Sequence, residues 1–142
     1  MTAHRIAYWL LKTEPSTYSC LDLEKDGKTI WDGVKNALAL RYLKEFRKDD
    51  RAIIYHTGDE KAAVAVALVT RDSYTDSRPG HEPLPVIDLS FESTLDHPVS
   101  LKRIKADPAF SGFPLVRLPR LSVMPVTETE WDRIMRLSRS AE

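Results

Sequence analysis

Tyr8-Trp9-Leu10-Leu11-Lys12-Thr13-Glu14-Pro15 is an apolar run that turns polar over three residues and stops at a proline. Its first half holds aromatic and aliphatic residues of high strand propensity, and Pro15 biases Glu14 toward an extended backbone before ending the ladder. The stretch therefore reads as a buried strand whose far end delivers a cation, a hydroxyl and a carboxylate to one region. Trp9 and Leu11 are expected in the core. Strand alternation divides the polar groups, sending Thr13 to the face opposite Lys12 and Glu14.

Downstream of this strand, Ser19-Cys20-Leu21-Asp22 has the form of an N-cap with an acidic residue three positions on, which predicts a short helix over 20–25 closed by Gly27. Trp31-Asp32-Gly33-Val34-Lys35-Asn36 has no regular period, with Gly33 suited to a turn and Asn36 to a helix cap. Ala39, Leu43 and Phe46 then stand at helical spacing, predicting a helix that runs to about Lys48. Ala52 to His56 and Ala62 to Thr70 are apolar runs separated by a turn with Gly58-Asp59, a hairpin pattern. In the second run Val64, Val66 and Leu68 alternate with Ala63, Ala65 and Ala67. That alternation of large and small fits a strand covered on both sides, as in a small closed barrel.

The segment from Asp76 to Pro85 carries Pro79, Gly80, Pro83 and Pro85 and reads as a loop; Val86 to Leu95 alternates as a half-exposed strand. Ser100 caps an expected short helix to Lys105, Leu115–Leu118 and Leu121–Met124 read as short strands, and Thr127-Glu128-Thr129-Glu130 is a capping box for a last helix with Trp131, Ile134 and Met135 inward. The result is a single α+β domain over 1–142 with five or six strands and flanking helices.

Composition narrows the function. Apolar residues make up 42% and charged residues 30% of the 142, as in an ordinary soluble globular domain. No apolar run approaches the ~20 residues a membrane span needs. The N-terminus lacks the basic-then-apolar order of a signal peptide, which together with a lone cysteine, Cys20, points to the cytoplasm. Lysine plus arginine equals aspartate plus glutamate at 21 each, which argues against strong non-specific binding to a polyanion. The balance is uneven: residues 1–97 carry 13 basic and 16 acidic side chains, and 98–142 carry 8 and 5.

No glycine-rich phosphate loop is present, and His4, His56, His81 and His97 have no ligand spacing, so neither a cofactor nor a metal is expected. Cys20 in an apolar context reads as a small core residue rather than a nucleophile. Trp31 beside Asp32-Gly33 stands out, because a tryptophan at a turn is harder to explain than one on a helix stripe. Lys12 and Glu14 share a strand face and also fit a plain surface ion pair.

Four motifs together resemble the EVE domain family, a branch of the PUA-like superfamily: Tyr8 to Pro15, Trp31 to Asn36, Tyr55-His56-Thr57, and Arg120-Leu121-Ser122-Val123-Met124-Pro125-Val126. The resemblance spans nearly the whole chain, and the first two motifs are its specific part. It implies a mixed β-barrel with flanking helices that is not an enzyme. Its implied role is recognition of a modified base in nucleic acid, such as a decorated cytosine in DNA or a modified base in RNA, drawn into a pocket. Such a pocket needs a stacking face, hydrogen-bond groups for the base edge and an apolar recess. By this resemblance Trp31 and Tyr55 stack, Thr13, Glu14 and Asn36 bond the base edge, Val34 lines the recess, and Lys12 and Arg120 meet phosphate. His56 and Thr57 complete the set, with alternation allowing only one of Tyr55 and His56 to face the ligand. Family members often carry tryptophan where Cys20 and Leu84 stand and an arginine in the segment occupied by Ala37-Leu38-Ala39-Leu40. The competing expectation is a pocket for a free planar molecule such as a nucleoside.

Overall fold

A computed structural model describes residues 5–141; Met1 to His4, which include part of the N-terminus read above, and Glu142 lie outside the described residues. The strand Tyr8–Thr13 (β1) lies one strand in from the edge of a seven-stranded sheet. It pairs in parallel with Arg51–His56 (β3) and antiparallel with Val123–Val126 (β7). From β3 the sheet continues antiparallel through Ala62–Val69 (β4) to Pro85–Ser100 (β6) and ends on Lys28–Trp31 (β2). Tyr74–Thr75 (β5) adds a two-residue pairing onto the start of β6.

The helices fall where their caps place them. Cys20–Asp26 (α1) starts on a reciprocal Ser19–Asp22 capping box and stops at Gly27, whose φ of 77° suits a residue without a Cβ. Ala37–Leu43 (α2) is capped by Asn36, whose Oδ1 accepts from the Ala39 N–H at 3.0 Å. This helix ends at Leu43 rather than near Lys48, because the backbone turns so that Phe46 can stack on Trp9 with ring centroids 4.3 Å apart. Leu101–Lys105 (α3) takes its cap from Ser100, and Glu128–Leu137 (α5) from the Thr127–Glu130 box.

Two expectations are corrected. Leu115–Leu118 is not a strand: Pro114–Arg117 forms a short helix (α4) after a 3₁₀ turn at Pro108–Phe110. A four-residue apolar run has too little length for periodicity to separate the two, and Pro114 at the first helical position tips it. The sheet, secondly, is barrel-like but open, since its path runs from β2 to β7 without a ladder between them. Helix α2 packs on both β7 and β6 and so bridges the opening. The β6 strand also runs beyond Leu95 to Ser100, with register shifts where it follows β4. None of the described helices is long and apolar enough to cross a membrane.

Covering on both faces of β4 matches its alternation: Ala63, Ala65 and Ala67 are fully buried and Val64 and Val66 nearly so. Just before β3, after the turn that follows α2, sits a buried carboxylate. Asp50 has no exposed surface; its Oδ1 accepts from the Ala7 N–H, and its Oδ2 accepts from the Trp9 indole N–H and the Arg47 N–H, each at 3.0 Å. Removing that acceptor strands buried donors on two segments at once. Asp50→Ala is expected to lower the unfolding free energy by about 3 kcal/mol or more, seen as a drop in the urea midpoint with an unchanged slope.

Candidate functional site

The polar end of β1 delivers its groups to two sides of the sheet. In the parallel register Lys12 pairs with Tyr55 and Thr13 with His56, so each pair shares a face. On Thr13's side the Oγ1 hydroxyl donates to the Tyr18 carbonyl at 2.7 Å, and the Tyr18 ring meets Trp31 edge-on with centroids 6.2 Å apart. These groups, with Thr17, Thr29, Ile30, Asp32 and Gly33, line an open recess of about 420 Å³. Trp31 ends β2 and lines the recess while only 8% exposed; the three threonines and Asp32 supply hydroxyls and a carboxylate around it. That volume lies within the ~300–1,000 Å³ of small-ligand sites.

Gly33, at φ 76°, turns the chain past this recess into a second one of about 270 Å³, bounded by Asp32, Val34, Lys35, Asp76, His81, Leu84 and Val86. Val34 is buried here. Asp32 stands between the two recesses and is held by Arg78, whose Nη2 lies 2.7 Å from its Oδ2. The same guanidinium grips Asp76, donating from Nε and Nη2 at 2.9 and 2.8 Å. Hydrogen bonds from the Arg78 side chain and backbone hold the Asp76 carboxyl below the usual carboxylate range. Asp32, Asp76 and His81 are close enough to ligate an ion. The Arg78 guanidinium bonded to both carboxylates occupies that cationic role.

On Lys12's side the arrangement differs. The ammonium donates to the Pro119 carbonyl at 2.8 Å and stands 5.9 Å above the Tyr55 ring; burial pushes its pKa down. Tyr55 is only 3% exposed, and burial pushes its phenol up to about 12. Asn36 and Arg120 border a third recess of about 400 Å³ with Leu38, Arg117, Leu118, Pro119 and Leu121.

The ten residues singled out from the sequence therefore do not form one pocket. Thr13 and Trp31 line the same recess, Val34 lies across Gly33 from them, and Asn36 and Arg120 belong to the third recess with Lys12 tethered beside it. Lys12 and Glu14 are not bonded to one another in a surface pair: Glu14 accepts from the Ser16 N–H and hydroxyl and from the Thr57 hydroxyl. The Ser16 backbone and side chain, in that order, hold its pKa down. Gly58, at φ 75°, takes a left-handed conformation that favours glycine, and a Cβ there would come within 2.7 Å of Glu14 Oε2 and displace the carboxylate. His56 shares Thr13's face but lies under α1, its Nε2 accepting from the Cys20 N–H and its Nδ1 reaching Glu60 at 2.7 Å. An accepting Nε2 makes Nδ1 the protonated nitrogen and directs the imidazole to the backbone rather than to the Cys20 thiol. Burial, with Glu60 and Glu24 nearby, pushes that thiol's pKa up.

Tyr18, Asp32, Thr17 and Thr29 also line the Trp31 recess and are not among the residues expected from the sequence. Asp32 had a signal, being adjacent to Trp31 at a glycine turn; Tyr18 looked only like the lead-in to α1.

The curled, open, mixed sheet with its flanking helices defines a small α+β fold of the PUA-like kind. More narrowly, the chain belongs to the EVE domain family, whose model matches residues 7–137. It is similar to a Rhodopseudomonas palustris protein solved by NMR, at 33% identity and a TM-score of 0.88, with 96% of each chain covered. Rat (Rattus norvegicus) thymocyte nuclear protein 1 is 28% identical over 94% of this chain and 74% of its own length. The human thymocyte nuclear protein 1, solved in complex with DNA containing 5-methylcytosine, shares the fold at 22% identity and a TM-score of 0.86, covering 96% of this chain and 99% of that one.

The Thr13 hydroxyl is the link that seats Tyr18 against Trp31. Thr13→Val keeps the shape and removes the bond, and is expected to cost about 1 kcal/mol of stability in chemical denaturation, with an altered near-ultraviolet dichroism from the Tyr18–Trp31 contact.

Proposed function

We propose that this domain is a non-catalytic reader of a modified nucleobase, with a decorated cytosine in DNA as the first ligand to test. The observation that supports the proposal is the recess lined by Trp31, 8% exposed, together with hydroxyl and carboxylate groups in a space of the size of one base. Family membership and the human relative's complex with 5-methylcytosine DNA support the same direction.

In this arrangement the base leaves the stack and lies along the Trp31 indole, with the Tyr18 ring closing the side. Asp32 accepts from the exocyclic amino group of cytosine, as carboxylates do at that edge. Arg78 keeps the carboxylate in place so that little ordering remains to be done on binding. The hydroxyls of Thr13, Thr17 and Thr29 serve the remaining edge. Gly33 leaves the way open to the second recess, where Val34, Leu84 and Val86 offer apolar surface to a substituent on the ring. Tyr55 acts beneath Lys12 as support, and Glu14, His56 and Thr57 brace the strand ends; none of these four needs to touch the ligand. Zero net charge fits a domain whose selectivity comes from the pocket rather than from phosphate.

Matched DNA and RNA oligonucleotides carrying cytosine or 5-substituted cytosine, titrated at ~100 mM salt so that phosphate contacts do not mask selectivity, test this reading. A modified oligonucleotide is expected to bind more tightly than its unmodified match, and Trp31→Ala to lose about tenfold or more of that affinity. Equal affinity for every modification overturns base reading, and stabilisation by free nucleosides with no oligonucleotide binding assigns the pocket to a small ligand instead.

A further inference from the structure

The third recess is shaped by a turn whose composition is unusual for a surface. Arg117, Leu118, Pro119 and Arg120 are all exposed, while Leu115 and Leu121 on either side are buried. Leu118 is 45% exposed, one of three large hydrophobics left so among the described residues, and it is bracketed by arginines. The turn is rigid. The Leu121 N–H donates to the Leu118 carbonyl at 3.0 Å, Pro119 fixes the second position, and the Leu118 N–H donates back to Pro114 at 2.7 Å. Lys12 donates to the Pro119 carbonyl, so the turn is tied to the end of β1. Apart from one long contact of 3.4 Å from Arg117 to the Ser111 carbonyl, the two guanidinium groups have no hydrogen bond or ion pair among the described residues.

Position adds the second argument. Lys12 holds this turn and Thr13, the next residue, borders the Trp31 recess, so the two surfaces lie at one strand end on its opposite faces, one to each side of a duplex seated across that end. Drawing a base out of a duplex leaves a gap, and proteins fill such gaps with Leu, Pro or similar apolar side chains while cationic groups hold the backbone. The basic excess of residues 98–142, 8 against 5, complements that partner.

We propose that Arg117-Leu118-Pro119-Arg120 is an apolar wedge for duplex DNA: Leu118 and Pro119 enter the base step beside the extruded nucleotide, and Arg117 and Arg120 take the phosphates on either side. The proposal rests on the base-reading function above and names the form of nucleic acid that site serves, a duplex rather than a single strand.

The test compares Leu118→Ser, Arg117→Gln/Arg120→Gln and Trp31→Ala on two probes, a duplex containing 5-methylcytosine with 2-aminopurine as its neighbour and the single strand of the same sequence. Leu118 is exposed, so its variant is expected to fold with an unchanged melting temperature. Leu118→Ser is expected to weaken duplex binding about tenfold, to quench the 2-aminopurine rise that reports unstacking, and to leave single-strand binding within about twofold. The double arginine variant should reduce the slope of log affinity against log salt by about 2. Equal loss on both probes, or no loss on either, overturns the wedge. If Trp31→Ala has no effect on either probe, base reading itself fails; if only Leu118→Ser is silent, the wedge fails and base reading stands.

Discussion

The Asp50 carboxylate is removed from solvent, and N–H groups from three places converge on it: Ala7 before β1, Trp9 within β1, and Arg47 in the turn between α2 and β3. A buried carboxylate without donors costs several kcal/mol, so these bonds hold only if β1, α2 and β3 are brought together in one arrangement. Parallel strands cannot be joined by a tight turn. Here α1, β2 and α2 lie between them in the chain, and Asp50 pins the far end of that crossover beside Tyr8 and Trp9. Asp49, at φ 78°, and the paired bonds between Asp49–Asp50 and Val69 add β4 to the same corner.

The consequence appears at the opposite end of β1. Because side chains alternate, the register that begins with Tyr8 opposite Arg51 decides that Thr13 faces with His56 and Lys12 with Tyr55. A slip of one residue would send Thr13 away from Tyr18 and Trp31. The recess and the Arg117–Arg120 turn are thus organised by neighbouring residues of one strand that look in opposite directions. Two surfaces at one strand end are what a single pocket built from all ten candidate residues could not have supplied. One is a recess lined by Trp31 and Thr13, and the other presents apolar and cationic groups outward.

Legibility followed the range of the interaction. The caps at Ser19, Asn36, Ser100 and Thr127 involve partners within three residues, and each is where the local pattern puts it. The hairpin β3–β4 and the core roles of Trp9 and Leu11 are set by short-period hydrophobicity and were equally plain. Leu115–Leu118 was misjudged because four apolar residues carry no usable period, and the end of α2 because Phe46 continues the helical spacing after the backbone has left it. Of the expected ligand contacts, Trp31 and Thr13 line one recess, whereas the Tyr55 ring is buried with the Lys12 ammonium 5.9 Å above it. Tyr18 was overlooked because its importance comes from a hydrogen bond to Thr13 that bends the chain after Pro15 back over the strand end.

By itself the sequence determined the α+β composition, most element positions, the buried character of β1 and β4, and the alternation that forbids Lys12 and Thr13 from sharing a face. Those properties depend on residue type and on neighbours a few positions away. Only the tertiary structure decided that the sheet stays open with α2 across the gap, that Glu14 and His56 are spent on bracing turns, and that Asp32 is held by Arg78 from 46 residues away. Such contacts join groups far apart in the chain, and their partners are chosen by the packing of the whole domain rather than by any local pattern.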